Sequence, residues 1–390
     1  MRVLITDADH RNALAAVRAL GKKGIYVVVG GENKLGPAFF SKYCKKRYLY
    51  SNPEEEENFV KDMIAIIKKE KIDVLLPIGI KTCVIVSKNK KKFTKLTNLA
   101  ISDYKIFLKA HDKSITIKIA NNIGVPCPKT SFPKSFEGTK QMAEKTGYPL
   151  ILKARKGSAY SGVKIVNNKT ELSQKYYELV KTDIKNDDIY DHRHPMVQEY
   201  IHGDIYDVCI FADRGRIIRA VTQKRLKTLP VTGGAGIWNI TTDNLGLMEF
   251  NKKLIQTMKY HGPAQIEFKI DKKGIPRLME INPKFWGTLD LSIQAEANFP
   301  LIATEVAMGH KVTSNFSLKK GIEYVWLFPY QVIYFLKTKK KLKFILDLFK
   351  LFRRNTKTEF FAKDLIPNIV TIYSSFMGLF KKENIKKALR

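Results

Sequence analysis

Apolar and polar positions along the chain change rhythm twice. The first stretch opens with an apolar run, RVLIT at 2–6, then a polar turn and a helical pattern over residues 13–20 that Gly21 and Gly24 stop. A second buried strand occupies 25–29, the helical pattern returns over 59–69, and 74–77 reads as a third strand. Strand and helix in alternation predict a parallel sheet with crossover helices, a Rossmann-like front domain over residues 1–110. The turn after its first strand, TDADHRN, contains no GxGxxG, so no dinucleotide is assigned to it. The lysine-rich run KNKKKFTK at 88–95 reads as a solvated face.

From about residue 110 the pattern changes. A helix over 112–123 ends at Gly124, and the proline-marked VPCPKT leads into YPLILKARKGSAYSGVKIV, a strand, a Gly/Ser-rich loop and a second strand. MVQEYIHGDIYDVCIF reads as one apolar strand broken by polar residues. Residues 264–270 and 277–281 form a hairpin around DKKG, and their alternation predicts an antiparallel sheet with carboxylates on one face. The middle of the chain thus divides into 111–197 and 198–315.

The third stretch, 316–390, predicts a basic helical extension. KTKKKLK at 337–343 leads into an amphipathic helix with Leu342, Ile345, Leu346 and Phe349 at helical spacing against Lys341, Lys343, Lys350 and Arg353. Residues 331–390 hold 15 basic and 4 acidic side chains. Such a helix either docks on the body or lies on an anionic membrane.

Composition narrows the classes. A length of 390 residues implies two or three domains, and 44% hydrophobic with 27% charged residues excludes a largely disordered chain. The formal charge of +32 allows a polyanion partner, but 14 Arg against 55 Lys argues against specific nucleic-acid recognition and equally fits a heat-adapted composition. Cys44, Cys83, Cys127 and Cys209 form no CxxC, which indicates neither a zinc site nor a disulfide framework and points to a reducing cytoplasm. The N-terminus reads as a strand, not a signal peptide. The longest uncharged run, 365–380, carries Pro367 and Asn368 and falls short of the roughly 20 residues that a membrane-spanning helix needs. His192 and His194, in HRH, read as a surface loop.

The stretch IEFKIDKKGIPRLMEINPKFWG carries the most chemistry. Glu280 and Asn282, two apart on a strand, share a face, and Glu267 can join them across the hairpin. Two carboxylates and an amide oxygen are the hard ligands that Mg²⁺ on a triphosphate requires, and Lys284 beside them argues for a phosphate. A surface hairpin with unrelated glutamates is the competing reading. Lys153 at a strand end, followed by Gly157, Ser158, Ala159 and Ser161, can set a charge and backbone N–H groups over a phosphate. Gln198, Glu199, Tyr200 and Ile201 offer an extended backbone to an adenine edge, with Asp204 for ribose; a plain core strand ending in a turn reads equally well. Lys224 and Arg225, followed by the Gly233–Gly236 loop, would suit an acyl-phosphate anion.

The order of these groups, with Lys113 in the preceding helix and the motif MEINPKFWG, resembles the ATP-grasp superfamily over roughly residues 1–310. It is most similar to a single ATP-grasp unit of the carbamoyl phosphate synthetase large subunit and to carboxylate–amine ligases. The resemblance implies an α/β and α+β ATP-grasp fold in which 111–197 is a lid subdomain with its connecting helix and 198–315 the subdomain bearing the metal site. It implies ATP with Mg²⁺ (or Mn²⁺) as cofactors: Lys113 and Lys153 on phosphates, Gln198, Glu199 and Ile201 around adenine, Asp204 or Asp207 on ribose, and Glu267, Glu280 and Asn282 on the metal. Lys284 stands where the family usually has Arg. The implied activity joins a small-molecule carboxylate to an amine through an acyl phosphate, on an amino acid or peptide such as a cell-wall precursor. A carboxyphosphate-forming relative and a non-catalytic nucleotide- or polyanion-binding protein are the alternatives. A cytoplasmic homodimer, with the tail docked on the body or at the inner membrane face, completes the expectation.

Overall fold

A computed structural model describes the chain except for residues 158–161, 183–185, 232, 244–245, 317 and 380–390. The front sheet is parallel, in the order β3-β2-β1-β4, from β1 (Arg2–Ile5), β2 (Tyr26–Gly31), β3 (Cys44–Leu49) and β4 (Val74–Leu76). The sequence pattern missed β3. Its residues CKKRYL lie at the sheet edge and are mostly solvated, so they carry no apolar run. The Arg11–Gly21 helix buries its alanine and leucine face on the sheet together with Phe285, Trp286 and Phe299 from far along the chain. That shared core joins the front domain to the rest of the molecule.

A small antiparallel sheet, β5-β8-β6-β7, comprises β5 (Thr130–Ser131), β6 (Leu150–Lys153), β7 (Val163–Val166) and β8 (Met196–Glu199). The expected hairpin is there: β6 pairs with β7, and Ala154 N donates to Gly162 O at 2.8 Å to close the loop's base. The run MVQEYIHGDIYDVCIF is two strands rather than one. β8 ends in the small sheet, the chain crosses over at 200–202, and β9 (Gly203–Asp213) begins in the large one. The helix Lys113–Asn122, expected with the lid, packs instead beneath the large sheet, where Ala120 and Val125 join Ile266 and Leu278.

The large sheet runs β13-β12-β9-β10-β11-β14-β15, adding β10 (Arg216–Leu229), β11 (Ala235–Thr242), β12 (Gly262–Asp271), β13 (Pro276–Asn282), β14 (Glu323–Val325) and β15 (Thr356–Thr358). The last two strands correct the expected tail. Residues 316–390 are not a purely helical extension, because β14 pairs with β11, and β15 pairs with β14 in parallel. Three-residue strands are too short to show a period in sequence. The tail is also latched to the front domain. Buried Arg18 meets buried Asp364 at 2.8 Å, while Ser41 Oγ and Lys42 N donate to the same carboxylate at 2.8 Å each. Its helix Lys341–Leu348 docks by Phe344, not by the predicted stripe: Leu342, Ile345, Leu346 and Phe349 all stay exposed. No helix among the described residues is long and apolar enough to cross a membrane.

Removing one member of a buried ion pair leaves an uncompensated charge, at a cost of about 3–5 kcal/mol. Asp364→Ala should therefore lower the unfolding free energy by roughly that amount, and Arg18→Ala likewise. The double variant should cost clearly less than the two single losses added, which a denaturant double-mutant cycle measures.

Candidate functional site

Glu267 and Glu280 stand directly opposite each other across β12 and β13. Asn282 follows on the same face and its Nδ2 donates to Glu280 Oε1 at 3.0 Å. The three expected oxygen-bearing residues thus converge. A bulge lies beside them: after the Glu267–Glu280 pair, Phe268 pairs with Leu278 and leaves Met279 as the extra residue. Met279 and Glu280, although adjacent, therefore both line one cleft.

Two lysines reach Glu280 from other elements. Lys153, at the end of β6, places Nζ 2.8 Å from Glu280 Oε2 and donates to Met279 O at 3.3 Å. Asp112 caps the helix Lys113–Asn122 by accepting from Ser114 N and Ile115 N, which fixes Lys113 in its first turn. Lys113 Nζ lies 3.9 Å from the same Glu280 oxygen and donates to Gly157 O at 2.9 Å. Burial by itself would raise the Glu280 pKa, but the Lys153 and Lys113 charges hold it well below the usual carboxylate range. Burial also pushes the Lys113 ammonium down.

A second charged group borders the first. Arg225 Nε donates to Asp207 Oδ2 at 2.9 Å, and Nη2 to Asp207 Oδ1 and Glu267 Oε2 at 2.5 Å each. Its Nη1 holds Gly234 O at 2.6 Å, tying the glycine loop to the sheet. Burial keeps the Glu267 pKa above its ordinary value despite this cation. Glu267, Glu280 and Asn282 supply hard oxygen donors that suit Mg²⁺. Among the described residues no three His, Cys, Asp or Glu side chains form a cage.

The cleft encloses about 330 Å³ between the small and the large sheet. Ile151, Val163 and Ile165 from the small sheet give it an apolar wall, with Gln198, Tyr200 and Ile201 at the crossover. Lys284, Gly234, Gly236, Gly287 and Thr288 line it too, together with Arg11 from the front domain. Arg11 Nη2 donates to Gly236 O at 3.0 Å, and its guanidinium lies 4.4 Å from the Trp326 ring centre. Among the described residues its buried Nη1 has no partner. Lys284 has no carboxylate within ion-pair distance among them either, and burial lowers its pKa.

Residues 191–328 match the family described as ATP-grasp in the biosynthetic pathway with Ter operon. Over that segment, about a third of its length, the chain is similar to ATP-grasp proteins. It is 25% identical over 305 residues to the carbamoyl phosphate synthase large chain of Clostridium botulinum (strain Kyoto / Type A2), covering 76% of this chain and 27% of that one. The chain thus spans about a quarter of the length of the curated relatives it matches. Its fold is similar to the biotin carboxylase domain of Hydrogenobacter thermophilus 2-oxoglutarate carboxylase, solved with MgADP, ADP and bicarbonate (TM-score 0.66, 18% identity, 83% of this chain and 73% of that one). It is also similar to the L-amino acid ligase of Bacillus licheniformis (TM-score 0.61, 14% identity, 78% and 74%).

Around this cleft the remaining expected residues fare unequally. Asp204 lies in an adjoining cavity that shares Tyr200, Ile201 and Lys269 with the cleft. Asp207, its alternative, is fully buried and bound by Arg225, so it does not face a ribose. Lys224 does not line the cleft. It neighbours Arg225 on one strand, so alternation turns it away, and its Nζ pairs with Asp204 at 2.6 Å. Arg225 lines the cleft, but its charge is committed to Asp207 and Glu267 rather than free for an acyl phosphate. Glu199 takes part through its backbone in the small sheet and accepts from Lys129 N at 3.1 Å. Gly157 borders the lysine pair, whereas Ser158, Ala159 and Ser161 lie outside the described residues.

His192 is buried beside Lys113, Lys153 and Gly157, which corrects the surface-loop reading; His194 is exposed. Lys269 and Gln265 also line the cleft, and their two-residue spacing from Glu267 could have revealed them. No local pattern marks Arg11.

Replacing Arg225 by Ala leaves fully buried Asp207 without its cation. The expected loss is about 3–5 kcal/mol of stability, read as a lower urea midpoint. Arg225→Lys should recover only part of it, because an ammonium cannot bridge both carboxylates with a planar fork. A loss below about 1 kcal/mol for the alanine variant would contradict this account.

Proposed function

We propose that this ATP-grasp chain is an ATP- and Mg²⁺-dependent carboxylate–amine ligase. The observation that carries the reading is the charge order in one cleft: lysines on Glu280, then Glu267 and Asn282, then the uncompensated cations Lys284 and Arg11. The apolar wall with Gln198, Tyr200 and Ile201 suits a purine, and Gln198 holds a buried amide oxygen without a partner among the described residues, an acceptor for an exocyclic amine. Asp204 at the adjoining mouth suits ribose hydroxyls, with Lys113 and Lys153 on the phosphates. Glu267, Glu280 and Asn282 would hold Mg²⁺, or Mn²⁺ in its place, and the ion's charge neutralises phosphate oxygens.

In the reaction an oxygen of the substrate carboxylate attacks the γ-phosphorus of ATP, and the bond to the ADP oxygen breaks. Lys153 and Lys284 stabilise the charge that spreads over the transferring group. An amine lone pair then attacks the acyl carbon. Phosphate leaves with its bonding electrons, and the surplus proton of the nitrogen passes to solvent. The L-amino acid ligase likeness supports an amino acid or peptide as substrate. The carbamoyl phosphate synthase relatives support a second reading, with bicarbonate as the acid and ammonia as the amine.

An ADP-release screen over amino acids, dipeptides, and bicarbonate with ammonia tests both. One mixture should release ADP, and Glu280→Ala should lower kcat/KM by roughly 100- to 1000-fold. Release that is equal in the wild type and Glu280→Ala, or absent from every mixture, sinks the ligase reading. Arg11→Ala should raise KM for the acid by about 10-fold or more while KM for ATP moves little, the split expected of a cation that holds substrate rather than nucleotide.

A further inference from the structure

The tail helices leave their apolar sides bare. On Lys341–Leu348 and the turn after it, Leu342 is 73% exposed, Leu346 60%, Phe349 65% and Phe352 88%. This is the stripe that the sequence offered either to the body or to an anionic membrane. The inward position is taken by Phe344, which sits under Lys227. The helix Ile366–Leu379 repeats the arrangement. It buries Pro367 and Asn368 and leaves Ile366, Ile369 and Tyr373 exposed at helical spacing.

Charge around these stripes is sorted by direction. Residues 331–379 contain ten Lys and Arg and three carboxylates. Each carboxylate is engaged inward. Asp347 pairs with Lys227 at 3.1 Å and Lys350 at 2.7 Å, Glu359 accepts from Leu327 N and Phe328 N, and Asp364 is bound by Arg18. Lys339, Lys341, Lys343, Arg353 and Arg354 are exposed beside the first stripe.

We propose that this face of the tail docks on an anionic lipid bilayer, its apolar side chains entering the acyl boundary and its cations meeting the headgroups. Helices of 8 and 14 residues are too short to cross a bilayer but can lie in its interface. The charge order favours a bilayer over a second copy of the chain. At +32, two copies repel, and among the described residues of the tail no carboxylate is left outward to receive a copy's cations. Peripheral binding needs both signals present here, buried apolar area and basic residues near the surface.

Vesicle co-sedimentation of the full chain tests the proposal independently of any ligase activity. The chain should pellet with phosphatidylcholine vesicles containing one-third phosphatidylglycerol, and not with phosphatidylcholine alone. High salt should weaken the binding. The triple variant Leu342→Gln, Leu346→Gln, Phe349→Gln should partition about 10-fold less or lower, with an unchanged melting temperature because these side chains touch no core. Absence from anionic vesicles, or binding that the triple variant retains in full, overturns the proposal. So does a wild-type dimer on gel filtration that the triple variant converts to monomer without any vesicle binding in either form, which would assign the face to a second copy.

Discussion

Two buried ammonium groups share one carboxylate, and the cleft is arranged around that contact. Lys153 comes from the small sheet, Lys113 from a helix under the large sheet, and Glu280 from the large sheet itself. None of the three could be buried alone, because a lone charge in a low-dielectric setting costs several kcal/mol. Their mutual neutralisation therefore ties three elements into one geometry. Next to it Arg225 performs the same service for Asp207 and Glu267. Charges alternate along the sheet face, and Glu267 and Glu280 are each already positioned by a cation.

Against this balanced centre, Lys284 and Arg11 stand out as cations without carboxylates among the described residues. A half-buried cation without a carboxylate is destabilising in the free protein, and an incoming anion relieves it. The cleft is thus prepared for negative charge beyond that of its own side chains. Placement of Arg11 depends on the joint core of the front sheet with Phe285 and Trp286, and on stacking over Trp326 and Tyr330. The front domain is in this sense part of the site.

Much of this was legible from spacing. Period-two alternation put Glu280 and Asn282 on one face and Glu267 opposite, and the register agrees. Alternation also explains where the reading failed. Lys224 beside Arg225 cannot share its face, and Asp207 two strands from Glu280 was already claimed by a guanidinium. The tail's amphipathic period was right as a pattern and left its partner open, and the structure turns the stripe away from the body, since periodicity says which residues share a side but not what that side meets.

Local order therefore followed from the chain alone: the parallel front strands, the hairpin of β12 and β13, and the lysine that ends β6. These rest on propensities and contacts between near neighbours. The tertiary structure decided what depends on distant partners. It brought Arg11 to Gly236 across 225 positions, buried His192 beside the lysines, added β14 and β15 to a sheet begun much earlier, and sent the apolar tail stripe outward. Such contacts leave no period in the sequence, because their energy comes from surfaces that meet only once the whole chain has packed.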